Sequence, residues 1–451
     1  MSNGVVASPD VGLSLLQSAA NEYAKAKQAL PVQGLAMPTQ HIMVAAAAQL
    51  AATATGQTDR LPALTGLAAG AGHCAALGLA VIKAHLSGDP AAIAAAENIE
   101  KFGTCDPDWY QTILAYGKFI ADHGLNAAIP GYKQFASLGD FVLPPIASNA
   151  RIAIVGDWGT GTPAALDVLR SIAAKDPDLL IHLGDVYYSG TAQECSDNFL
   201  TPIAQILQAG RATPVQVVSL SGNHDMYSGG AGYYDMIGKL GQPSSYFALR
   251  TADGAWQFLA MDTGYSDHDP NNVTDVRVAL TPQEQAWHLD KIATFGGSTI
   301  LLSHHQLFSC YAPIGPADQP GNKRLPYNPN LLGSLQACQQ RKPVAAWFWG
   351  HEHNLTLYGP YLDLAAGRCI GHGAIPATEA DNPNGIQNDL TATPPALLTP
   401  QMALAGGLYA HGYAIMQLGG DGGTIRVDYH SMNDPATPQY SETIAPVTAS
   451  V

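Results

Sequence analysis

From Arg151 onward the chain repeats one pattern: a short, almost purely apolar run, then a small residue, then a side chain able to donate a lone pair. The runs are "RIAIVGD", "DLLIHLGD", "VQVVSLSGNH", "STILLSHH" and "AAWFWGH". These β-rich runs predict short strands. Between them, apolar residues recur at helical spacing over 163–175 and 282–293, and that alternation of strand and helix predicts an α/β domain. Further on, "HGYAIMQLGGDGGTIRVDYHS" reads as two strands around a Gly-Asp-Gly-Gly turn, a hairpin.

Residues 1–148 follow a different regime, rich in alanine, helical in pattern and without a convincing strand. The expected organisation is a helical Ala-rich domain of unassigned role at 1–148 and an α/β domain at 149–451, with "LGDFVLPPIASNA" as the linker. The stretch 63–82 carries no charge and is long enough to span a bilayer. Its alanine and glycine are weakly apolar and it contains His73, so a tightly packed helix or helical hairpin is the expected reading and a membrane span the alternative. The N-terminus lacks the basic region, apolar core and small-residue cleavage site of a secretory signal, which leads to an expectation of cytoplasmic residence.

Composition narrows the function. At 451 residues, 47% hydrophobic and 13% charged, the chain is globular and long enough for two domains. With 21 Lys plus Arg against 36 Asp plus Glu, the net charge is −15, so nucleic acid is not expected as a macromolecular partner. An anionic substrate would meet long-range repulsion, and its site needs a strong local positive charge such as a metal ion. The six cysteines are scattered without a C-x-x-C, which suits buried thiols rather than a disulfide framework.

The candidate chemistry lies at the strand ends: Asp157, Asp185, Asn223 with His224, His304 with His305, and His351 with His353. Strand C-termini in open α/β sheets are where ligands bind, so these groups should converge on one crevice. A single Gly-Asp after a strand is ordinarily a turn or cap. Burying all of these groups together without a metal would demand a costly polar network, and oxygen and imidazole donors suit iron, manganese or zinc.

The ordered set GDWG, GDVYY, GNHD, LLSH and GHEH, from Gly156 to His353, resembles the calcineurin-like metallophosphoesterases. Gly159 stands where most of that superfamily has a histidine, and Tyr188 stands three residues after Asp185; this GDxG plus GDxxY combination resembles the purple acid phosphatases. The resemblance implies a β-sandwich flanked by helices. It also implies one metal held by Asp157, Asp185, Tyr188 and His353, and a second by Asp185, Asn223, His304 and His351, with Asp185 bridging. It implies Fe(III) in the first site and a divalent Fe, Zn or Mn in the second. His224 matches the histidine that stabilises the transition state or protonates the leaving oxygen, and Asp225 could orient it.

Other polar residues have weaker claims. Tyr187 alternates away from Tyr188 if the segment is extended and is expected to pack. His305 is either a substrate contact or a support behind the ligands; His182 is a core histidine; Lys323 and Arg324 are a solvated loop pair or phosphate contacts; His372 and His411 are unassigned. The GDYVDRG signature of the Ser/Thr protein phosphatases is absent. The function expected is therefore hydrolysis of a small phosphomonoester by a hydroxide on a binuclear centre. A phosphodiesterase using the same centre and an inactive binding module with the same fold are the alternatives. Membrane or protein docking through 1–148 is a lesser possibility for a partner, and oligomeric state is open.

Overall fold

Each of those apolar runs is a strand with its side chains buried on both faces. The structure is a computed structural model, which describes residues 129–268, 275–312, 314–315, 324–377, 395–398, 402–405 and 407–447, together with Phe119. The strands are β1 (Arg151–Val155), β2 (Leu179–His182), β3 (Gln216–Ser219), β4 (Phe247–Arg250), β5 (Trp256–Ala260), β6 (Ser298–Leu302), β7 (Val344–Trp349), β8 (Leu355–Tyr358), β9 (Gly367–Ile370), β10 (Leu397–Leu398), β11 (Leu404–Ala405), β12 (Leu408–Tyr409), β13 (Gly412–Leu418), β14 (Ile425–Ser431) and β15 (Asp434–Ile444). One sheet runs β15-β14-β13-β1-β2-β3 and the other β10-β8-β9-β7-β6-β5-β4, with β11 and β12 as a separate ribbon. Strands β1, β2 and β3 are mutually parallel, as are β5, β6, β7 and β9. The expected hairpin is β13 paired antiparallel with β14.

Strand alternation divides the apolar residues between three cores. Ile152, Ile154, Ile181 and Val218 of the first sheet meet Phe258, Ile300, Leu302 and Phe348 of the second, forming the layer between the sheets. Ala153, Val155 and Leu180 face outward, against Val168, Leu169 and Ile172 of helix α1 (Pro163–Ala174). On the far side, Leu259, Leu301 and Trp347 pack with Trp287 and Ile292 of α2 (Pro282–Thr294) and with Leu331 and Leu335 of α3 (Pro329–Gln339). The domain is thus two sheets face to face with helices outside, as the resemblance implied. All three helices open on a capping residue followed by proline: Thr162, Thr281 and Asn328 accept from amides of the first turn, and the proline occupies a position whose N–H needs no partner.

The Pro-Pro segment, expected to be a linker, is instead laid along β4. Val142 and Ile146 bridge to Ala248 and Thr251, and the amides of Leu143 and Ile146 donate to Ala248 O (2.8 Å) and Arg250 O (2.9 Å). Leu143 and Ile146, flanking Pro144 and Pro145, are buried, which is what anchors the segment. Residues 126–451 form one compact unit and 1–125 another. The stretch 63–82, Cys74 and Cys105 lie outside the described residues. Among the described residues no helix is long and apolar enough to cross a membrane, and Cys195, Cys310, Cys338 and Cys369 are buried free thiols.

Under α2 sits a buried acid without a facing cation. Glu284 accepts the Asp262 amide (2.8 Å) and the Tyr132 hydroxyl (3.1 Å) and lies 3.2 Å from His288 Nε2, while Lys291 is turned to the carbonyl of Leu138. Burial pushes the Glu284 carboxyl up to about 8, and pushes His288 down to about 3, so the histidine is neutral. The folded protein therefore keeps this proton up to about pH 8, whereas the unfolded chain releases it near pH 4.5. Native Glu284 binds more protons than unfolded Glu284 across that window, so stability falls as pH rises through it, by up to ~1.4 kcal/mol per unit. Glu284→Gln keeps the carbonyl acceptor and removes the titration, so its melting temperature should decline less steeply between about pH 5 and 8. Calorimetric scans at several pH values check this; equal slopes would mean that Glu284 ionises as it does in the unfolded chain.

Candidate metal centre

Both sheets deliver their polar strand ends to one place. Asp157 follows β1, Asp185 follows β2, Asn223 follows β3, His304 follows β6, and His351 and His353 follow β7. Asp157 (φ 55°), Asp185 (φ 75°) and His351 (φ 66°) all adopt the left-handed backbone conformation, uncommon for residues with a Cβ, which turns each side chain back over the strand ends. The small residue before each donor is a matter of space. A methyl group on Gly222 would stand 2.0 Å from Asp185 Oδ1, and one on Gly350 would stand 2.7 Å from Asp157 Oδ2.

The donor atoms fall into two sets. In the first, the Tyr187 hydroxyl oxygen is 3.0 Å from Asp157 Oδ1, 3.0 Å from Asp185 Oδ2 and 3.2 Å from His353 Nε2, and His353 Nε2 is 3.6 Å from Asp157 Oδ1. In the second, Asn223 Oδ1 is 3.1 Å from both His304 Nε2 and His351 Nδ1; those two nitrogens are 3.2 Å apart; and His304 Nε2 is 3.4 Å from Asp185 Oδ2. One carboxylate oxygen, Asp185 Oδ2, borders both sets. Neighbouring donors around an ion with bonds of ~2.1 Å lie ~3 Å apart, so both sets have the spacing of a coordination polyhedron.

Supporting bonds fix which atom each donor presents. His304 Nδ1 lies 2.9 Å from the Leu183 carbonyl, an acceptor only, so Nδ1 carries a hydrogen and Nε2 is the atom turned to the donor set. Asn223 Nδ2 donates to the Tyr227 hydroxyl (2.7 Å), which turns Oδ1 toward the histidines. Asp157 Oδ2 accepts the His351 amide (2.8 Å) and Asp185 Oδ1 accepts the His224 amide (3.0 Å), leaving the other oxygen of each carboxylate for the donor sets.

The tyrosine differs from the expectation. Tyr187, not Tyr188, brings its phenol to the carboxylates, and its side chain is buried. The alternation argument required an extended segment, and residues 187–189 form a turn. That turn is held from outside: Glu194 accepts the amides of Tyr188, Ser189 (3.2 Å) and Thr191 (2.9 Å), and Asn198 Nδ2 donates to the Tyr187 carbonyl (2.9 Å). Tyr188 is half-buried and gives its carbonyl to His224 Nδ1 (2.6 Å).

Asp225 also departs from its expected role. Its carboxylate accepts the amides of Asp185 (2.9 Å), Val186 (3.1 Å) and Gly222 (2.8 Å), so it ties the Asp185 loop to the Asn223 loop, and the carbonyl of Tyr188 orients His224. The reason is local: Asp225 is the third residue of a short helix, Asn223–Met226, and its side chain folds back onto the amides ahead of it. His305 is turned to the loop after β5, with its Nδ1 3.0 Å from Thr263 Oγ1 and its Nε2 3.2 Å from Asp267 Oδ2. Arg324 donates to the carbonyls of Gly315 (2.8 Å) and Ile314 (3.1 Å), and Lys323 lies outside the described residues. His182 is a core group beside Ser219 Oγ (2.9 Å), pushed down to about 3 by burial. His372 and His411 are likewise pushed down by burial, to about 3 and about 4, and stand outside both donor sets.

Electrostatically the centre calls for positive charge. Burial, then the negative Asp185, push Asp157 up to about 7 against the pull of His304. Burial acts on Asp185 in the same sense but is outweighed by His304 and His224, which hold it well below the usual carboxylate range. Burial and His351 push His353 down to about 3, so its imidazole is neutral. Two enclosed carboxylates with imidazoles, a phenol and an amide oxygen form a donor set suited to hard or borderline cations. The residues present fit two metal ions.

Two sheets that bring carboxylate, imidazole and amide donors from five strand ends into one pocket define a metallophosphoesterase architecture. Residues 150–355 match the family of calcineurin-like phosphoesterases. Solved structures similar to it include the GAP50 anchor of the inner membrane complex of Plasmodium (13% identity, 67% of this chain and 90% of that one, TM-score 0.44). A purple acid phosphatase from yellow lupin (Lupinus luteus) seeds is 17% identical over 67% of this chain and 55% of that one, with a TM-score of 0.44. PhoD is 11% identical over 68% of this chain and 73% of that one, with a TM-score of 0.45. No curated protein matches the chain.

Because Asp225 is buried and satisfies three amides that the fold leaves no other acceptor, Asp225→Ala should destabilise the metal-free domain by ~3 kcal/mol or more. Denaturant midpoints measure it. A loss below about 1 kcal/mol would mean that the amides find another partner, because a lone hydrogen bond is worth about that much.

Proposed function

We propose that the protein is a binuclear metal-dependent phosphomonoesterase acting on a small phosphorylated molecule. The observation that supports this best is the position of Asp185 Oδ2, 3.0 Å from the Tyr187 hydroxyl of one donor set and 3.4 Å from His304 Nε2 of the other. One carboxylate oxygen between two complete sets is the arrangement of a bridging ligand. Asp157, Asp185, Tyr187 and His353 would hold one ion, and Asp185, Asn223, His304 and His351 the other. Two carboxylates and a phenolate favour Fe(III) in the first site, and the amide and imidazoles of the second suit a divalent Fe, Zn or Mn. When bound, such a pair lowers the pKa of water and neutralises charge on the attacking and departing oxygens of an in-line displacement.

The chain's own groups supply the rest. His224 is anchored at Nδ1 by the Tyr188 carbonyl and wedged between the rings of Tyr187 (4.3 Å) and Tyr227 (4.9 Å), so Nε2 is the atom that hands a proton to the leaving oxygen. Asp225 keeps the Asp185 and Asn223 loops in register, so that both donor sets share one carboxylate without adjustment. With a net charge of −15, attraction of a phosphate depends on this local site rather than on the overall field of the protein.

The purified protein should carry two metal ions per chain and hydrolyse an aryl phosphate, with a bis-aryl phosphate turned over more slowly. Asp185→Asn should abolish turnover and lower metal content. A faster bis-aryl reaction would make the enzyme a phosphodiesterase, two bound ions without turnover of either ester would make it a binding module, and an active, fully loaded Asp185→Asn protein would remove Asp185 from the centre.

The tyrosine pair gives a separate optical test. If the first ion is Fe(III), the aerobic protein should be coloured by phenolate-to-iron charge transfer. Tyr187→Phe should bleach the band, and Tyr188→Phe, which keeps the backbone carbonyl on His224, should leave it. The reverse result would restore Tyr188 as the ligand.

A further inference from the structure

We infer that the loop 262–267 is a clasp for the second donor set alone, and that Asp262 is its main positioning residue, acting on the Asn223 loop through Ser221; this rests on the two-ion reading above. The loop leaves β5 and touches both loops that carry Asn223 and His304. Asp262 Oδ1 accepts the hydroxyl of Ser221, two residues ahead of Asn223, and also the amide of Tyr265 (2.9 Å). A methyl group on Gly264 would stand 2.4 Å from the carbonyl oxygen of Gly222, so the loop backbone lies directly on the peptide that leads into Asn223. On the other side, Thr263 Oγ1 accepts the amide of His305 (3.1 Å) and meets its ring, and Asp267 meets the far ring nitrogen, which holds the residue that follows His304.

The clasp is itself anchored. The Asp262 amide donates to Glu284 at the start of α2, and Glu284 is bound by Tyr132 and His288. Ser221, Asp262, Thr263, Asp267 and Glu284 are all buried. Placing two carboxylates in the core beside a neutral histidine costs several kcal/mol that an apolar pair would avoid. Fixing the loops of the second set is what these carboxylates achieve there. The first set has other supports: Glu194 and Asn198 hold the Tyr187 turn, and the Asp157 amide donates to Gly184 O (3.1 Å).

The test compares the wild-type chain with Asp262→Ala, Asp262→Asn and Thr263→Val. Each metal-free protein is loaded with Fe(III) and titrated with Zn(II), reading metal per chain, the iron band and the melting temperature. Asp262→Ala should weaken Zn(II) binding about 10- to 100-fold, the usual cost of losing a group that orients a ligand, while iron content and band stay as in the wild type. Asp262→Asn keeps the Oδ1 acceptor and should return Zn(II) affinity close to that of the wild type. Thr263→Val, which removes one hydroxyl and little volume, should show the same selectivity from the His304 side and decides the matter if Asp262→Ala does not fold. Equal weakening of both ions in step with the melting temperature would reduce the loop to general stability and overturn the inference, as would unchanged Zn(II) binding in Asp262→Ala, or in Thr263→Val where that variant decides. A wild-type chain that binds fewer than two ions would instead bring down the two-ion reading, and the clasp with it.

Discussion

The arrangement of the two-sheet domain depends on one buried carboxylate. Asp185 is 1% exposed, yet it is held in its charged form by the imidazoles and amides around it. Desolvating such a group is costly, and the fold offsets that cost by surrounding it with donors from both sheets: the His224 amide on Oδ1, the Tyr187 hydroxyl and His304 on Oδ2. Those donors must stay in place for the charge to remain buried. The left-handed residues, the glycines without room for a methyl group and the amides collected by Asp225 all follow from that requirement.

The two-sheet sandwich suits the task because each sheet is rigid and buried on both faces. Donors from a single sheet would share its twist and approach the site from one side. Here β1, β2 and β3 bring Asp157, Asp185 and Asn223 from one layer, while β6 and β7 bring His304, His351 and His353 from the other. The core between them, from Ile152 and Ile181 to Ile300 and Phe348, sets the distance across which these donors meet. A change in that core therefore reaches the site without touching it.

Much of this was legible from the chain itself. A continuous apolar run followed by a lone-pair donor is a local signal, and the strands, the hairpin and helices near 163–175 and 282–293 follow from spacing alone. What escaped was set by residues distant in sequence or by turns. Tyr187 and Tyr188 cannot be told apart by alternation, because Glu194 and Asn198 convert the segment to a turn. Asp225 looked like a partner for its neighbour His224, but helix geometry points it at backbone amides. Asp262 and Glu284 sit in unremarkable stretches, and only the pairing of β5 with β6 and the placing of α2 bring them to the Asn223 loop.

The segment ahead of β1 has a practical meaning. Residues 142–146 occupy the open hydrogen-bonding edge of β4, while Tyr132 closes the polar pocket around Glu284. A shortened chain begun at Arg151, where the apolar runs start, would carry every candidate donor named above and still present a bare sheet edge, the template on which separate molecules pair with one another. Its solubility, rather than its chemistry, would suffer first, so the smallest portion able to fold cleanly begins before Tyr132.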